Sequence, residues 1–214
     1  MGSELNFIHQ YVPGPSSEAA RPYILLHGTG GDEHDLIPVA RKIDPYGCFL
    51  SPRGKVQEGN RLRYFKRVRP GVFDLEDLSF RTDELAGFLN RASVEYGFRL
   101  DDAVAVGYSN GANMAASLLL RYPGMLAGAV LMRPVLPYPV ENPPMMEGVH
   151  VLILSGEDDE LIPLEQAIAL VPVFEASGAL VKHEVLPAGH SITEEDVERT
   201  RQWVASIRNK DEKS

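Results

Sequence analysis

The pentapeptide Gly107–Gly111, Gly-Tyr-Ser-Asn-Gly, constrains this chain more than any other stretch of its sequence. The apolar run Val104–Val106 precedes it, and a run rich in alanine follows it. A Gly-x-Ser-x-Gly pattern between a strand and a helix predicts a turn so tight that bulky side chains beside the serine are excluded. Such a turn lifts the Ser109 hydroxyl above the end of a sheet, where it can act as a nucleophile. The alternative is a chance match in which Ser109 only caps the helix.

A nucleophilic serine needs a base, and the base needs a group that orients its ring. In parallel sheets, ligand sites lie beyond the carboxyl ends of the strands. Where a Gly-x-Ser-x-Gly turn carries a catalytic serine, the acid and then the histidine follow it along the chain. Two later apolar runs, 149–154 and 181–186, are typical of buried parallel strands. The acidic stretch 157–160 follows the first run, and His190 follows the second. We therefore expect His190 to accept the Ser109 proton and later to return a proton to the leaving group.

One carboxylate of the stretch Glu-Asp-Asp-Glu at 157–160 is expected to fix the tautomer of the histidine and to stabilise its charged form. An aspartate side chain is shorter and more rigid than that of glutamate, which favours Asp158 or Asp159. The local sequence does not choose between these two residues.

An acyl-transfer reaction also needs N–H groups that stabilise a developing oxyanion. The Asn110 N–H lies at the positive end of the predicted helix and is the first candidate. The second is expected from the loop His27–Gly31, which follows the buried apolar run 23–26 and contains three glycines. Because glycines let the backbone approach a substrate closely, Thr29 is the preferred donor and Gly30 the alternative.

Strand-like and helix-like segments alternate along the chain, which predicts an α/β fold with a mostly parallel central sheet and helices on both faces. We see no internal repeat and no linker, so residues 1–214 are interpreted as one domain. The proline-rich segment 132–148 is too short for a cap domain. The site is therefore expected to be open to solvent, screened at most by this loop.

The hydrophobic patterns and the candidate start and stop residues give approximate element bounds. Strands are predicted at 7–12, 23–26, 48–50, from 104, and at 127–132, 149–154 and 181–186. Helices are predicted at 35–43, 74–97, from Ser109 to Pro123, at 163–177 with a kink or break at Pro172, and after Thr193. The polar tail 209–214 is expected to fray.

The formal net charge of −9 argues against binding to nucleic acid, whose phosphates an acidic chain repels. The basic cluster between Arg61 and Arg69 is interpreted as a solvated loop paired with the acidic run 74–77, with an anion-binding patch as the alternative. Cys48 is the single cysteine, so no internal disulfide can form. We find neither a signal peptide nor a membrane-spanning run, and we expect a soluble protein of the cytoplasm.

Four residues of the glycine-rich loop and of the helix that follows it are candidate metal ligands. Their types suit zinc or manganese, but their spacing matches no metal motif, and the loop and the helix start already explain them. These residues are His27, Asp32, His34 and Asp35. No phosphate-binding motif with its lysine is present, so we expect neither a metal nor a nucleotide cofactor.

The motifs resemble the single-domain carboxylesterase/phospholipase family of α/β-hydrolases, which includes acyl-protein thioesterase-like enzymes and hydrolases linked to hydroquinone resistance. The resemblance runs from about Leu26 to Trp203, and its matching pieces are 26–33, 51–54, 71–74, 107–111, 159–163 and 188–190. In that family the acid lies four residues before a proline, which selects Asp159. The residue after the serine is often Gln there but is Asn110 here, which weakens any transfer of acyl-protein substrates.

The resemblance implies a serine hydrolase that acts on carboxylic esters, needs no cofactor and is often a homodimer. The favoured hypothesis is a carboxylesterase that acts on small, fairly apolar esters. A thioesterase or a lysophospholipase would use the same groups. A non-catalytic binding protein that kept the fold is the alternative from another class. Five side chains either line an apolar substrate pocket or serve only as packing: Phe73, Tyr108, Met132, Met145 and Met146.

Overall fold

The computed structural model describes residues 5–15, 21–69 and 71–211. Its centre is a seven-stranded sheet in the order β1-β3-β2-β8-β9-β10-β11, in which only β1 runs antiparallel to its neighbour. The strands of this sheet are β1 (His9–Val12), β2 (Pro22–Leu26), β3 (Cys48–Pro52), β8 (Val104–Tyr108), β9 (Gly128–Met132), β10 (His150–Gly156) and β11 (Leu180–Leu186). The predicted α/β fold with a mostly parallel sheet is confirmed.

Six α-helices cover the two faces of the sheet in the described part of the chain. They are α1 (Ile37–Ile43), α2 (Leu75–Tyr96), α3 (Asn110–Arg121), α4 (Leu164–Ile168), α5 (Leu170–Ala176) and α6 (Glu194–Asp211). Successive strand residues point to opposite faces, so Ile24 packs beneath α2 and α3 while Leu25 packs beneath α1 and α6. Both residues are fully buried, as is usual for parallel strands covered by helices on both sides.

The strand order reverses direction between β2 and β8. From β2 the chain crosses to β3 on one side, and it later returns to place β8 on the other side of β2. Loops at the carboxyl ends of strands separate at such a switch point and leave a crevice. The loop after β2 and the turn after β8 therefore meet at one edge of the sheet.

Several predicted helix boundaries are confirmed by their caps. The Asp74 carboxylate accepts a hydrogen bond from the Asp77 N–H at 3.0 Å and starts α2. Gly97 ends that helix in the left-handed conformation, with φ of +70°. The predicted break near Pro172 is also present, at Ala169. Pro172 then falls in the first turn of α5, where its missing N–H removes no helical hydrogen bond.

One prediction was wrong in detail. The basic segment after β3 is not an irregular loop but forms two short hairpins, which tie its backbone to the neighbouring chain. Their strands are β4 (Val56–Glu58), β5 (Arg61–Arg63), β6 (Arg67–Arg69) and β7 (Val72–Phe73). At the end of the chain, α6 continues to Asp211, so the first three residues of the polar tail are helical. No proline or glycine interrupts the chain after Thr193 to end the helix earlier, and residues 212–214 lie outside the described part.

The proline-rich segment between β9 and β10 contains neither helix nor strand, so no cap domain is inserted there. Its first residues are held by the Asn113 side chain, which accepts the Val135 N–H at 2.8 Å. Its end is held by the Met146 N–H, which donates to the Ser177 carbonyl at 2.6 Å. None of the helices in the described ranges is long and apolar enough to cross a membrane.

Candidate active site

The turn between β8 and α3 places Ser109 above the sheet in a strained backbone conformation, with φ of +51° and ψ of −112°. Its N–H donates to the Met132 carbonyl at 2.8 Å. A Cβ on Gly111 would lie 2.0 Å from the Leu26 carbonyl oxygen, and one on Gly107 would lie 2.6 Å from the Gly111 oxygen. Both contacts are with backbone atoms that cannot move aside, which explains why glycine is required here.

The Ser109 side chain makes no capping hydrogen bond to α3, so the capping alternative is wrong. Instead its Oγ lies 3.1 Å from Nε2 of His190. The other ring nitrogen, Nδ1, lies 2.8 Å from Oδ2 of Asp159. The structure thus brings together a hydroxyl, an imidazole and a carboxylate that follow β8, β11 and β10, respectively.

Asp159, rather than Asp158, faces the histidine. Its second oxygen, Oδ1, accepts the N–H groups of Leu161 and Ile162 at 2.9 and 3.0 Å, which fixes the carboxylate plane. The Asp159 side chain is 1% exposed, whereas Asp158 is solvent-exposed. A carboxylate held in this way can keep the Nδ1–H tautomer of His190 and leave Nε2 free to act on Ser109.

The loop after β2 presents Thr29 beside the Ser109 turn. The Gly30 N–H donates to the Leu62 carbonyl at 2.8 Å, so the alternative oxyanion donor is already occupied. No described residue accepts the Thr29 N–H. The Asn110 N–H begins α3, where the first N–H groups of a helix lack partners within the helix. Thr29 and Asn110 therefore remain the two candidate oxyanion donors.

The His27 side chain, which sequence reasoning did not single out for this role, fixes the glycine-rich loop. Its Nε2 accepts the Gly54 N–H at 2.9 Å, so the ring proton must be on Nδ1, which donates to the Gly28 carbonyl at 2.7 Å. Since C=O and N–H point in opposite directions across a trans peptide, this bond turns the Thr29 N–H away from His27. Burial lowers the pKa of His27, which favours the neutral ring that both bonds require.

One basic residue of the first hairpin is part of the site, contrary to the solvated-loop interpretation. Arg63 is 4% exposed, donates through Nη1 to Thr29 Oγ1 at 2.8 Å and through Nε to the Phe65 carbonyl at 3.2 Å. Other members of the cluster do form surface pairs, such as Lys66 with Asp77. Burial of Arg63 lowers its pKa, but the guanidinium stays charged and adds positive potential beside the candidate oxyanion donor.

The five predicted pocket residues divide between cavity wall, core and surface. Phe73 lines a cavity of about 390 Å³ together with Val135 and other residues of the proline-rich loop. Tyr108 lines a cavity of about 310 Å³ that also contains Thr29.

The three methionines of that prediction do not line either cavity. Met132 and Met146 are buried at 0% and 2% exposure in the packed cores on opposite faces of the sheet. Met145 is 65% exposed. Their positions support the packing alternative for the two buried residues, because interdigitated core side chains leave no space for a ligand.

The residues weighed as metal ligands are engaged in local hydrogen bonds. Both nitrogens of His27 are used by backbone groups, and Asp32 Oδ1 accepts the His34 N–H at 2.8 Å. Among the described residues, no group of three or more His, Cys, Asp or Glu side chains is arranged to hold a metal ion.

A buried arginine at the end of β9 is the functional-site residue that sequence reasoning missed altogether. Arg133 donates hydrogen bonds to the carbonyls of Gly189 and Ser191, on either side of His190. The one available signal was a charged residue directly after a fully apolar strand. The end of that strand lies beside Ser109 in the predicted sheet.

This fold, with a serine, a histidine and an acid at the ends of its parallel strands, defines the chain as an α/β-hydrolase. A profile of the phospholipase/carboxylesterase family matches residues 9–207. The chain belongs to this family of hydrolases. MhqD of Bacillus subtilis (strain 168), which is named as a hydrolase, is 42% identical over 195 residues, covering 91% of this chain and 96% of that protein.

Comparison with solved structures agrees with this family assignment. The carboxylesterase of Bacillus cereus superposes with a TM-score of 0.91 at 39% identity, covering 94% of this chain and 95% of that chain. The carboxylesterase of Mesorhizobium loti superposes with a TM-score of 0.82 at 35% identity, covering 88% and 90% of the two chains. The predicted family is therefore confirmed.

Proposed function

We propose that the protein is a serine carboxylesterase that hydrolyses small, fairly apolar esters through an acyl-Ser109 intermediate. The observation that carries the proposal is the continuous set of contacts from Ser109 Oγ to His190 Nε2, and from His190 Nδ1 to Asp159, at 3.1 and 2.8 Å. Each distance is within hydrogen-bond reach, which a nucleophile, its base and the orienting acid require.

In the acylation step, Ser109 Oγ attacks the ester carbonyl carbon and His190 Nε2 takes the hydroxyl proton. The carbonyl oxygen becomes negatively charged and receives hydrogen bonds from the Thr29 and Asn110 N–H groups. Each such donor contributes about 3–4 kcal/mol to stabilisation of the transition state. His190 then gives its proton to the departing alcohol oxygen, and the carbon–oxygen bond of the ester breaks.

In the deacylation step, water takes the place of the alcohol. His190 removes a proton from the water, the resulting hydroxide attacks the acyl carbon, and the proton returns to Ser109 Oγ as the acid product leaves. Asp159 remains ionised throughout and stabilises the imidazolium that forms in each half of the reaction. The chain's own groups supply every proton transfer.

The cavities support a small substrate. The cavity that contains Thr29 and Tyr108 is about 310 Å³, and the one that contains Phe73 is about 390 Å³, both near the lower end of the range for ligand pockets. Leu36 and Val39 contribute apolar surface to the first, which suits a hydrocarbon group bonded to the reacting carbonyl. The absence of an inserted cap between β9 and β10 leaves these cavities open to solvent.

The proposal is tested by measuring kcat/KM for an aryl acetate, an aryl butyrate, an aryl octanoate, an acyl-CoA and a lysophospholipid, beside the Ser109→Ala variant. We expect the short aryl esters to be the best substrates and Ser109→Ala to abolish their turnover. A preference for the acyl-CoA or the lysophospholipid would instead assign the same groups to thioester or phospholipid hydrolysis. Undiminished turnover by Ser109→Ala would contradict the serine mechanism.

We also propose that the protein works in the reducing environment of the cytoplasm, because its single cysteine can form no internal disulfide. Cys48 is a buried free thiol in β3, and burial raises its pKa above the ordinary value. A thiol kept protonated and away from solvent reacts slowly with oxidants, so its role is packing.

A further inference from the structure

Arg133 has no part in the proton transfers proposed above, yet both its burial and its backbone conformation are unfavourable for stability. Its side chain is 0% exposed, and its φ of +53° is left-handed. Ser109, at the end of the neighbouring strand, is the other non-glycine residue with positive φ in the described part of the chain. A buried guanidinium and a strained backbone each lower stability unless neighbouring groups compensate for them.

All five N–H groups of the Arg133 guanidinium have acceptors: three donate to backbone carbonyls and two to the carboxylate of Asp196. The Nε–H donates to the Gly189 carbonyl at 2.9 Å, and Nη2 donates to the Ser191 carbonyl at 3.2 Å. Nη1 donates to the Leu154 carbonyl of β10 at 3.3 Å. One planar group therefore ties the residues before and after His190 to the adjacent strand.

Asp196, in the first turn of α6, orients this guanidinium. Its Oδ1 and Oδ2 accept from Nη1 and Nη2 of Arg133 at 2.7 and 3.0 Å, in the two-pronged geometry that arginine makes with carboxylates. Oδ2 also accepts the Thr193 N–H at 2.8 Å, which fixes the residue just before the helix. The turn from Gly189 to Thr193 is thus hydrogen-bonded along its length to one buried ion pair.

The carbonyl of His190 itself is held by a third side chain. Tyr108 OH donates to it at 3.1 Å from the end of β8. Three consecutive carbonyls, at residues 189, 190 and 191, therefore accept hydrogen bonds from side chains at the ends of β8 and β9. The His190 backbone has little freedom to move relative to Ser109.

We propose that Arg133 is a positioning residue, which holds the His190 turn so that the imidazole reaches Ser109 and Asp159 at the same time. This inference rests on the proposed function, in which His190 is the base. Displacement of a reacting group by about 1 Å can lower the rate about 10²-fold. Arginine suits this task better than lysine, because only its rigid fork can donate to two separated carbonyls and a carboxylate together.

The test compares Arg133→Lys, the double variant Arg133→Met/Asp196→Asn, and Phe88→Leu. The lysine keeps a positive charge beside Asp196 but loses the fork, whereas the double variant removes both charges and leaves neither one unpaired. Phe88 is a fully buried side chain of α2 on the opposite face from α6, so its variant loses stability without touching the turn. For each protein we would measure the unfolding midpoint, kcat and KM for an aryl acetate, and the rate of phosphonylation of Ser109 by a fluorophosphonate.

We expect kcat and the phosphonylation rate to fall about 10²-fold in the double variant and about 10-fold in Arg133→Lys, with KM changed less than about 3-fold. Phe88→Leu should keep the wild-type kcat below its unfolding transition. Wild-type kcat in folded Arg133→Lys would overturn the inference even if the double variant failed to fold. An equal loss of kcat in Phe88→Leu would overturn it too. A wild-type protein that hydrolyses no ester would instead overturn the proposed function.

Discussion

The turn that carries Ser109 and the turn that carries His190 face each other, with Ser109 Oγ 3.1 Å from His190 Nε2. The two turns are fixed in different ways. Missing side chains shape the Ser109 turn, since a Cβ on Gly111 would lie 2.0 Å from backbone oxygen. In the His190 turn, a Cβ on Gly189 would meet nothing closer than the Asp158 carbonyl oxygen at 3.5 Å. Side chains from other strands hold this second turn.

One half of the site is therefore built by local sterics, and the other half by hydrogen bonds between distant parts of the chain. The Ser109 conformation follows from five consecutive residues and the helix after them. The His190 conformation depends on Arg133 and Tyr108, 57 and 82 residues earlier in the sequence. Mutations should therefore affect the two turns in separable ways.

The largest expected effect is on kcat, and it comes from a substitution that releases the His190 ring while leaving the Ser109 turn intact. Asp159→Asn preserves the size of the side chain but presents an N–H₂ group to the ring, which favours the wrong histidine tautomer. We expect kcat for an aryl acetate to fall about 10⁴-fold, with little change in the unfolding midpoint. Asp158→Asn is the matched control, because this exposed neighbour makes no contact with the ring, and its kcat should stay within about 2-fold of wild type.

A pair of identical substitutions compares the two turns directly. Gly111→Ala forces the backbone of β2 or α3 to move, and we expect it to lower the free energy of unfolding by about 2–4 kcal/mol. Gly189→Ala adds a methyl group at an ordinary contact distance and should change that free energy by less than about 1 kcal/mol. Urea unfolding of both variants measures the difference. Equal destabilisation by the two substitutions would show that the turns are constrained alike.

A smaller effect, on the pH dependence of stability, is expected at the glycine-rich loop. This loop is fixed by the neutral, buried side chain of His27. Burial lowers the pKa of His27 below its usual value of about 6.5, so the unfolded chain binds this proton more readily than the folded protein. The free energy of unfolding should therefore fall as the pH drops below about 6.5, by at most about 1.4 kcal/mol per pH unit for this proton.

His27→Gln tests the assignment, since glutamine can donate and accept hydrogen bonds but does not titrate. Urea unfolding between about pH 7.5 and pH 5.5 should show a weaker pH dependence in the variant than in the wild type. The pKa of His183 is also lowered by burial, but His183 is present in both proteins and its contribution cancels in the comparison. An unchanged pH dependence would contradict a buried neutral His27.

The same division explains how far the sequence could predict the structure. The strands of the central sheet, the alternating helices, the Ser109 turn and the caps at Asp74 and Gly97 rest on neighbouring residues, and the sequence predicted them. The choice of Asp159 over Asp158 needed the family resemblance, because both aspartates lie at the same strand end. No pattern of neighbouring residues predicts the ion pair of Arg133 and Asp196.

Sequence reasoning also failed where burial decides the role of a side chain. Arg63 lies in a basic segment that resembles a solvated loop, yet the hairpin packs it against Thr29. Met132 and Met146 were considered for the substrate pocket, but their burial is set by strand and loop positions that only the folded chain defines. A charged or apolar residue type does not reveal whether its side chain faces a cavity, the core or solvent.

The assignment of Ser109 as the nucleophile is tested most directly by treating the protein with a fluorophosphonate and locating the adduct by peptide mass spectrometry. The chain provides an internal control, because Ser155 Oγ also lies 2.9 Å from a histidine nitrogen, that of His183, but Ser155 is buried. We predict a single adduct on Ser109 in the wild type and in Ser155→Ala, and none in Ser109→Ala. An adduct on another residue, or no adduct on a protein that hydrolyses esters, would contradict the assignment of Ser109 as the nucleophile.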